Sequence, residues 1–326
     1  MSSSSRAVLV TGCAGFIGSH LAERLVAENY HVVGIDCFTP AYPRERKEAH
    51  LLDLRAQKNF HFVEGDLRRL DLPSLLRERN IGTIFHVAGQ ASVRPSWGDH
   101  FDDYVQRNIV ATQHLLEAVK AFSIDRFVFS SSSSVYGDAE RFPTDELVLP
   151  RPVSPYGVTK LAAEHLTFLY ARQYGVPAVA LRYFSVYGPR QRPDMAFSLF
   201  INAMMDNRPI TILGDGQQSR DFTYVGDVVQ ANLLAMRSNP DSIGRIYNIG
   251  GGSRVTLAAT LELLSDIMQV QPQIEYKPAA AGDQRHTSAD TTRARNEIGF
   301  DPRVKLEEGL RRQVEWYLHY PPGGRP

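Results

Sequence analysis

Cysteine is nearly missing from this chain: Cys13 and Cys37 are the only two in 326 residues. Each falls just past an apolar stretch of strand length, which excludes a disulfide framework and predicts two free thiols in a reducing compartment. Net charge is missing as well, because 36 Lys and Arg balance 36 Asp and Glu. No global field therefore recruits nucleic acid or an anionic membrane, and any anion site must be local. No apolar run approaches the ~18 residues of a membrane span, and the opening MSSSSR carries no apolar leader core. The ten histidines show no metal-ligand spacing, so no metal is expected. These absences predict a cytoplasmic globular protein without a nucleic-acid or membrane partner.

What is present is a large apolar content, 43% of residues, enough for one big domain or two closely joined ones. Apolar runs of strand length recur: AVLVT (7–11), HVVGID (31–36), FHFVEG (60–65), TIFHVAG (83–89), RFVFSS (126–131) and PAVALRYF (177–184). Amphipathic segments such as IGSHLAERLVAEN and YVQRNIVATQHLLEAVKAF separate several of them. Continuous rather than alternating apolar runs are the pattern of strands buried on both faces, so the fold class is α/β with a Rossmann-like, doubly wound parallel sheet. After about Pro189 the runs shorten to ITIL and RIYNIG, with helical stretches near 196–206, 226–237, 256–268 and 305–319. The expected division is a dinucleotide-binding domain over residues 1–188 and a smaller mixed substrate lobe over 189–326. Some elements of the second part are expected to return to the first, with a ligand cleft between the two.

The segment VLVTGCAGFIGSHLAERL sets Gly12, Gly15 and Gly18 directly after the first strand and at the start of a helix, with Phe16 and Ile17 among the residues expected to bind the cofactor. Glycines let backbone approach a pyrophosphate, and a helix N-terminus offers it free N–H groups. Asp36 ends the second strand, where a carboxylate accepts from ribose hydroxyls and repels a 2′-phosphate, so the cofactor is expected to be NAD, not NADP. Asp66 and Leu67 follow the third strand and are expected to border the adenine. Ala88, Gly89 and Gln90 follow the fourth and leave room for the middle of the cofactor. Asn108 is expected to bond to backbone near this sheet, and His86 to be a packed strand residue.

In SPYGVTK, Tyr156 and Lys160 stand four apart and share a helix face. A phenol with an ordinary pKa of ~10 becomes a base near neutrality when a neighbouring ammonium and a cationic nicotinamide stabilise its phenolate. Upstream, FVFSSSSSVYG runs five serines, Ser130 to Ser134, straight off an apolar strand. A flexible serine linker sits in polar sequence, whereas this row is flanked by Phe127, Val128, Phe129, Val135 and Tyr136. Hydroxyls at a strand end are the better reading.

With these motifs in order, the chain resembles the NAD-dependent epimerase/dehydratase family of extended short-chain dehydrogenases over essentially its whole length. The resemblance implies that Ser132, three before the VYG valine, bonds the sugar hydroxyl beside catalytic Tyr156 and Lys160. Ser133 and Ser134 would contact substrate, and Ser130 and Ser131 would pair with backbone. Members that eliminate water or decarboxylate typically carry Asp-Glu or Ser-Glu before VYG; here Ser133 and Ser134 stand there, which implies a 4-epimerase.

The stretch RYFSVYGPRQRPDMAF, with Ser185 after RYF, is similar to the UDP-glucuronate 4-epimerases, as are DCFTPAYPRERKEAHL and AGQASVRPSW. The implied reaction interconverts UDP-glucuronate and UDP-galacturonate through a 4-keto sugar with NAD retained. Arg192 is the first candidate for the C6 carboxylate and Arg94 the second. Arg220 and Arg285 would face the diphosphate, Arg285 in place of the family arginine whose position Ala280 occupies. Asp227 and Asp290 are expected to be helix caps. A homodimer through residues 99–121 and 155–174 is the family expectation. The alternatives are a UDP-glucose or UDP-N-acetylhexosamine 4-epimerase, a UDP-glucuronate decarboxylase, or an NAD-sensing protein of the same fold.

Overall fold

The computed structural model describes residues 6–279 and 281–320, so the serine-rich opening and Ala280 lie outside the described residues. AVLVT forms β1 (Ala7–Thr11) with all five residues buried, because Val8 and Val10 enter one apolar cluster and Leu9 the other. The expected runs likewise form β2 (Val32–Asp36), β3 (Phe60–Glu64), β4 (Ile81–His86), β5 (Arg126–Ser132) and β6 (Ala178–Tyr183). Of these, β3, at the sheet edge, is the most exposed. Between and around these strands lie α1 (Phe16–Ala27), α2 (Arg44–Ala49), α3 (Leu52–Arg55), α4 (Leu72–Glu78), α5 (Phe101–Tyr104), α6 (Ala111–Val119) and α7 (Pro155–Tyr174).

The later part contributes β7 (Val186–Tyr187), β8 (Ile210–Leu213), β9 (Ser219–Asp221), β10 (Thr223–Tyr224), β11 (Ile246–Ile249), β12 (Arg254–Thr256) and β13 (Ile274–Lys277). Its helices are α8 (Ala196–Met205), α9 (Val225–Arg237), α10 (Leu257–Met268), α11 (Thr292–Ile298) and α12 (Leu306–His319).

Seven parallel strands form one sheet in the order β3-β2-β1-β4-β5-β6-β11. Helices α1 and α9 cover one face, and α4, α6 and α7 cover the other. Strand order reverses between β1 and β4, and the crevice beyond the carboxyl ends at that point is where such sheets hold ligands. Beyond residue 189 the chain returns to this sheet: β11 pairs with β6, and α9 packs beside α1. The remainder builds a small lobe from three two-stranded pairs, β7 with β10, β8 with β13 and β9 with β12. Tyr187, Phe197, Phe222 and Tyr224 fill its junction with the sheet.

The helix expected over YVQRNIVATQHLLEAVKAF is interrupted. Val105–Val110 widens into a π turn between α5 and α6. Such turns mark places where a side chain or backbone is needed elsewhere, and here Asn108 serves the strand ends, as described below. Asp227 differs from a simple cap: it lies within the first turn of α9 and accepts the N–H groups of Arg303 and Val304. Asp290 accepts the N–H of Thr292 at the start of α11. Among the described residues no helix is long and apolar enough to cross a membrane.

Candidate functional site

A cleft of about 630 Å³ opens beyond the carboxyl ends of the sheet, and residues of both the sheet domain and the small lobe line it. At one end lies the glycine turn. Gly12 has φ of 72°, and a Cβ there would meet the Ala88 backbone at 2.9 Å. A Cβ on Gly18 would collide with the Gly12 carbonyl oxygen. The glycines therefore bring β1, β4 and α1 closer than any side chain allows. No side chain caps α1, so its first N–H groups, at Phe16 and Ile17, are left for a ligand. Gly12, Gly15, Phe16, Ile17 and Gly18 all line the cleft, a cradle suited to a pyrophosphate.

Asp36 accepts the N–H groups of Ala14 and Phe38 at 3.1 and 2.8 Å, so it braces the glycine turn as well as facing the cleft. Burial pushes its carboxyl above the ordinary value, and those N–H groups and Lys47 oppose the shift. Asp66 and Leu67 line the same end, with Asp66 paired to Arg68 and held below its ordinary value by that contact. Ala88, Gly89 and Gln90 line the middle. Asn108 clamps this turn by accepting from the Gln90 N–H at 2.7 Å and donating to the Gln90 carbonyl at 3.0 Å. The π turn sets it there. His86 is fully packed between Thr11 and Thr112, and burial lowers it to about 3.

The other end holds the serine row and the tyrosine. Ser154, two residues ahead of Tyr156, caps α7 by accepting from the Gly157 N–H. Ser132 closes β5 and accepts from the Ser134 N–H, turning the chain so that Ser132, Ser133 and Ser134 all line the cleft with Tyr156. Burial pushes the Tyr156 phenol above its ordinary value; hydrogen bonding with Ser132 and the positive field of Arg192 pull it back.

Lys160 is almost completely buried, donates to the Ser130 carbonyl at 2.6 Å and lies over the Phe129 ring. Burial lowers its ammonium to about 8, opposed by Glu164. The groups that lower the phenol in this arrangement are thus Ser132 and Arg192, with the Lys160 ammonium directed at backbone.

Ser130 and Ser131 keep their sheet pairing, but their hydroxyls go to side chains. Ser130 meets the Tyr183 phenol, and Ser131 donates to Glu164 at 2.6 Å. Glu164 also takes a fork of two bonds from Arg182, a fully buried ion pair set directly behind the serine row. Nothing in the local sequence around the serines signals this pair, because Arg182 comes from the neighbouring strand.

The arginines divide. Arg192 lines the cleft, and its guanidinium is chelated by Asp194 at 3.0 and 2.8 Å. Arg94 lines the cleft and pairs with Asp283. Arg220 also lines it, bonded to the carbonyls of Ser219 and Arg285, with no carboxylate ion-paired to it among the described residues. Burial lowers its guanidinium from the ordinary value.

Arg285 stands apart from the main cleft: it pairs with Asp215 and lines a smaller adjoining cavity of about 320 Å³. Ser185 lines both cavities. Asp194 and Ser92 lie outside the residues that the motifs single out, although Asp194 stands inside GPRQRPDMA, a carboxylate two residues from Arg192.

A family model described as the NAD dependent epimerase/dehydratase family matches residues 8–250. The chain is similar to an uncharacterised UDP-glucose epimerase of Bacillus subtilis (strain 168), 44% identical over 95% of this chain and 97% of the relative. It is 35% identical to a UDP-glucuronate 4-epimerase of Thermodesulfobacterium geofontis (strain OPF15), over 94% and 95% of the two. Among solved structures, a UDP-glucuronic acid 4-epimerase from Bacillus cereus in complex with UDP-glucuronic acid and NAD superposes with a TM-score of 0.93. It is 40% identical, with 96% of this chain and 99% of that one covered.

Proposed function

The chain belongs to the NAD dependent epimerase/dehydratase family, and on that premise we propose that it is a UDP-glucuronate 4-epimerase, interconverting UDP-glucuronate and UDP-galacturonate. The observation that carries this reading is convergence: Tyr156, Ser132 and Arg192 face one cleft whose far end is a glycine cradle closed by Asp36. When bound, NAD supplies the oxidation and re-reduction of C4. The chain supplies the rest. Phe16 and Ile17 at the start of α1 offer N–H groups to the pyrophosphate, and Asp36 receives the adenosine ribose.

Tyr156 takes the proton of the C4 hydroxyl, which Ser132 aligns, and returns it to the product. Arg192 holds the C6 carboxylate and lowers the phenol in the same stroke. Orientation of that carboxylate matters because a 4-keto uronate is a β-keto acid, which loses carbon dioxide when the C5–C6 bond stands perpendicular to the carbonyl plane. Ser133 and Ser134 provide no acid-base group at C5, which favours epimerisation over decarboxylation. Arg220 faces the diphosphate, and Arg285 borders the nucleotide end through the adjoining cavity.

Two helices support a homodimer in the same reading. In the single chain α7 exposes Val158, Leu169 and Tyr174, and α5 exposes Phe101. Pairing of two such helices from each protomer covers them. Two free thiols accord with a cytoplasmic setting.

The test is to incubate the purified protein with UDP-glucuronate and no added NAD, following the sugar protons by NMR. UDP-galacturonate is expected. A pentose product means decarboxylation instead, and an untouched uronate beside converted UDP-glucose means a neutral-sugar epimerase.

A further inference from the structure

The carboxylate-binding fork of Arg192 already holds a carboxylate. Its Nε and one terminal nitrogen donate to the two oxygens of Asp194 at 3.0 and 2.8 Å, the bidentate geometry that a uronate would use. The guanidinium is largely buried, with its side chain 13% exposed, whereas Asp194 is 37% exposed toward the cleft. Asp194 is itself anchored from the opposite wall, where the Ser92 hydroxyl donates to it at 2.8 Å. Ser92 has φ of 91°, a strained region that a non-glycine residue rarely adopts. That strained residue follows β4, so the contact joins the sheet domain to the loop that enters the small lobe. Arg94 instead sends both of its bonds to one oxygen of Asp283, at 3.1 and 2.8 Å.

Resting on the epimerase reading above, we propose that Asp194 is an internal surrogate for the sugar carboxylate and sets how strictly the cleft selects uronates. A site that leaves a buried polar group unpaired rejects the ligand lacking its partner, by a large factor. Asp194 removes that penalty. With a neutral hexose in the cleft, Arg192 stays paired; with a uronate, the substrate carboxylate must displace Asp194 or share the guanidinium with it, and like charges repel. The surrogate therefore narrows the gap between UDP-glucuronate and UDP-glucose from both sides. A displaced Asp194 also has a place to go, because it lies just ahead of α8, whose N-terminus no side chain caps.

The experiment measures dissociation constants of UDP-glucuronate and UDP-glucose by calorimetry on the NAD-loaded protein, with Tyr156→Phe in the background to stop turnover. Asp194→Asn, added to it, is expected to shift the ratio of the two constants about tenfold or more toward the uronate, about 1.4 kcal/mol. Ser92→Ala, which releases the anchor, is expected to move the ratio the same way by less. A ratio unchanged by Asp194→Asn, or one shifted toward UDP-glucose, overturns the proposal, as does failure of the parent to bind UDP-glucuronate. The epimerase reading fails separately, when the protein with Tyr156 intact leaves UDP-glucuronate unconverted in the NMR assay.

Discussion

The Lys160 ammonium donates to the Ser130 carbonyl at 2.6 Å, tying the helix that carries Tyr156 to the strand that carries Ser132. Burial lowers that ammonium to about 8, below the ~10.4 of an unfolded lysine. Between those values the unfolded chain binds the extra proton, so the contribution of Lys160 to stability rises with pH across that window. Lys160→Met has no such titration. Thermal unfolding from about pH 7 to 10 should show the difference between parent and variant moving in favour of the parent as pH rises. A flat difference would contradict the buried ammonium.

Tyr156→Phe is expected to slow interconversion by about 10²–10⁴-fold with the melting temperature unchanged. The phenol is raised by burial and lowered by Ser132 and Arg192. Arg192→Ala should accordingly move the acid limb of the kcat/KM profile to higher pH, and should impair UDP-glucuronate turnover far more than NAD binding. Kinetics equal to those of the parent would remove Arg192 from the sugar site.

Gly18→Ala places a methyl group against the Gly12 carbonyl, within the cradle at the start of α1. The expected cost is about 1–3 kcal/mol in denaturant unfolding, from overpacking against backbone. Loss of co-purifying NAD, read by absorbance after denaturation, should accompany it. Full NAD retention in the variant would show that the turn tolerates displacement.

Glu164→Gln strands the buried Arg182 guanidinium and leaves the Ser131 hydroxyl facing an amide. Removing one partner of a buried pair costs about 3–5 kcal/mol, a loss that urea unfolding would reveal. A variant as stable as the parent would mean that water or Tyr136, whose ring lies beneath Arg182, satisfies the charge.

The glycine turn was legible because its parts are neighbours in sequence: strand, turn, helix start and Asp36 form one unit set by backbone geometry. The same holds for Tyr156 and Lys160, placed on one face by the helical repeat. The interruption at Val105–Val110 was not legible, since VQRNIV reads as ordinary helix until Asn108 is seen holding the Gln90 backbone. Nor was the difference between Arg220, which meets only carbonyls in the cleft, and Arg285, drawn aside by Asp215.

The first six strands of the sheet, the glycine turn, the tyrosine–lysine pair and the hydroxyl row follow from the amino-acid order alone, because each depends on spacings of a few residues and on local burial. The tertiary structure alone decided the partner of each charge. Ser92 and Asp194 lie 102 positions apart and meet across the cleft, while Glu164 and Arg182 meet behind it. A guanidinium pairs with whichever carboxylate the folded chain brings within reach, and that depends on how β4, β6 and the 188–195 loop converge rather than on any motif.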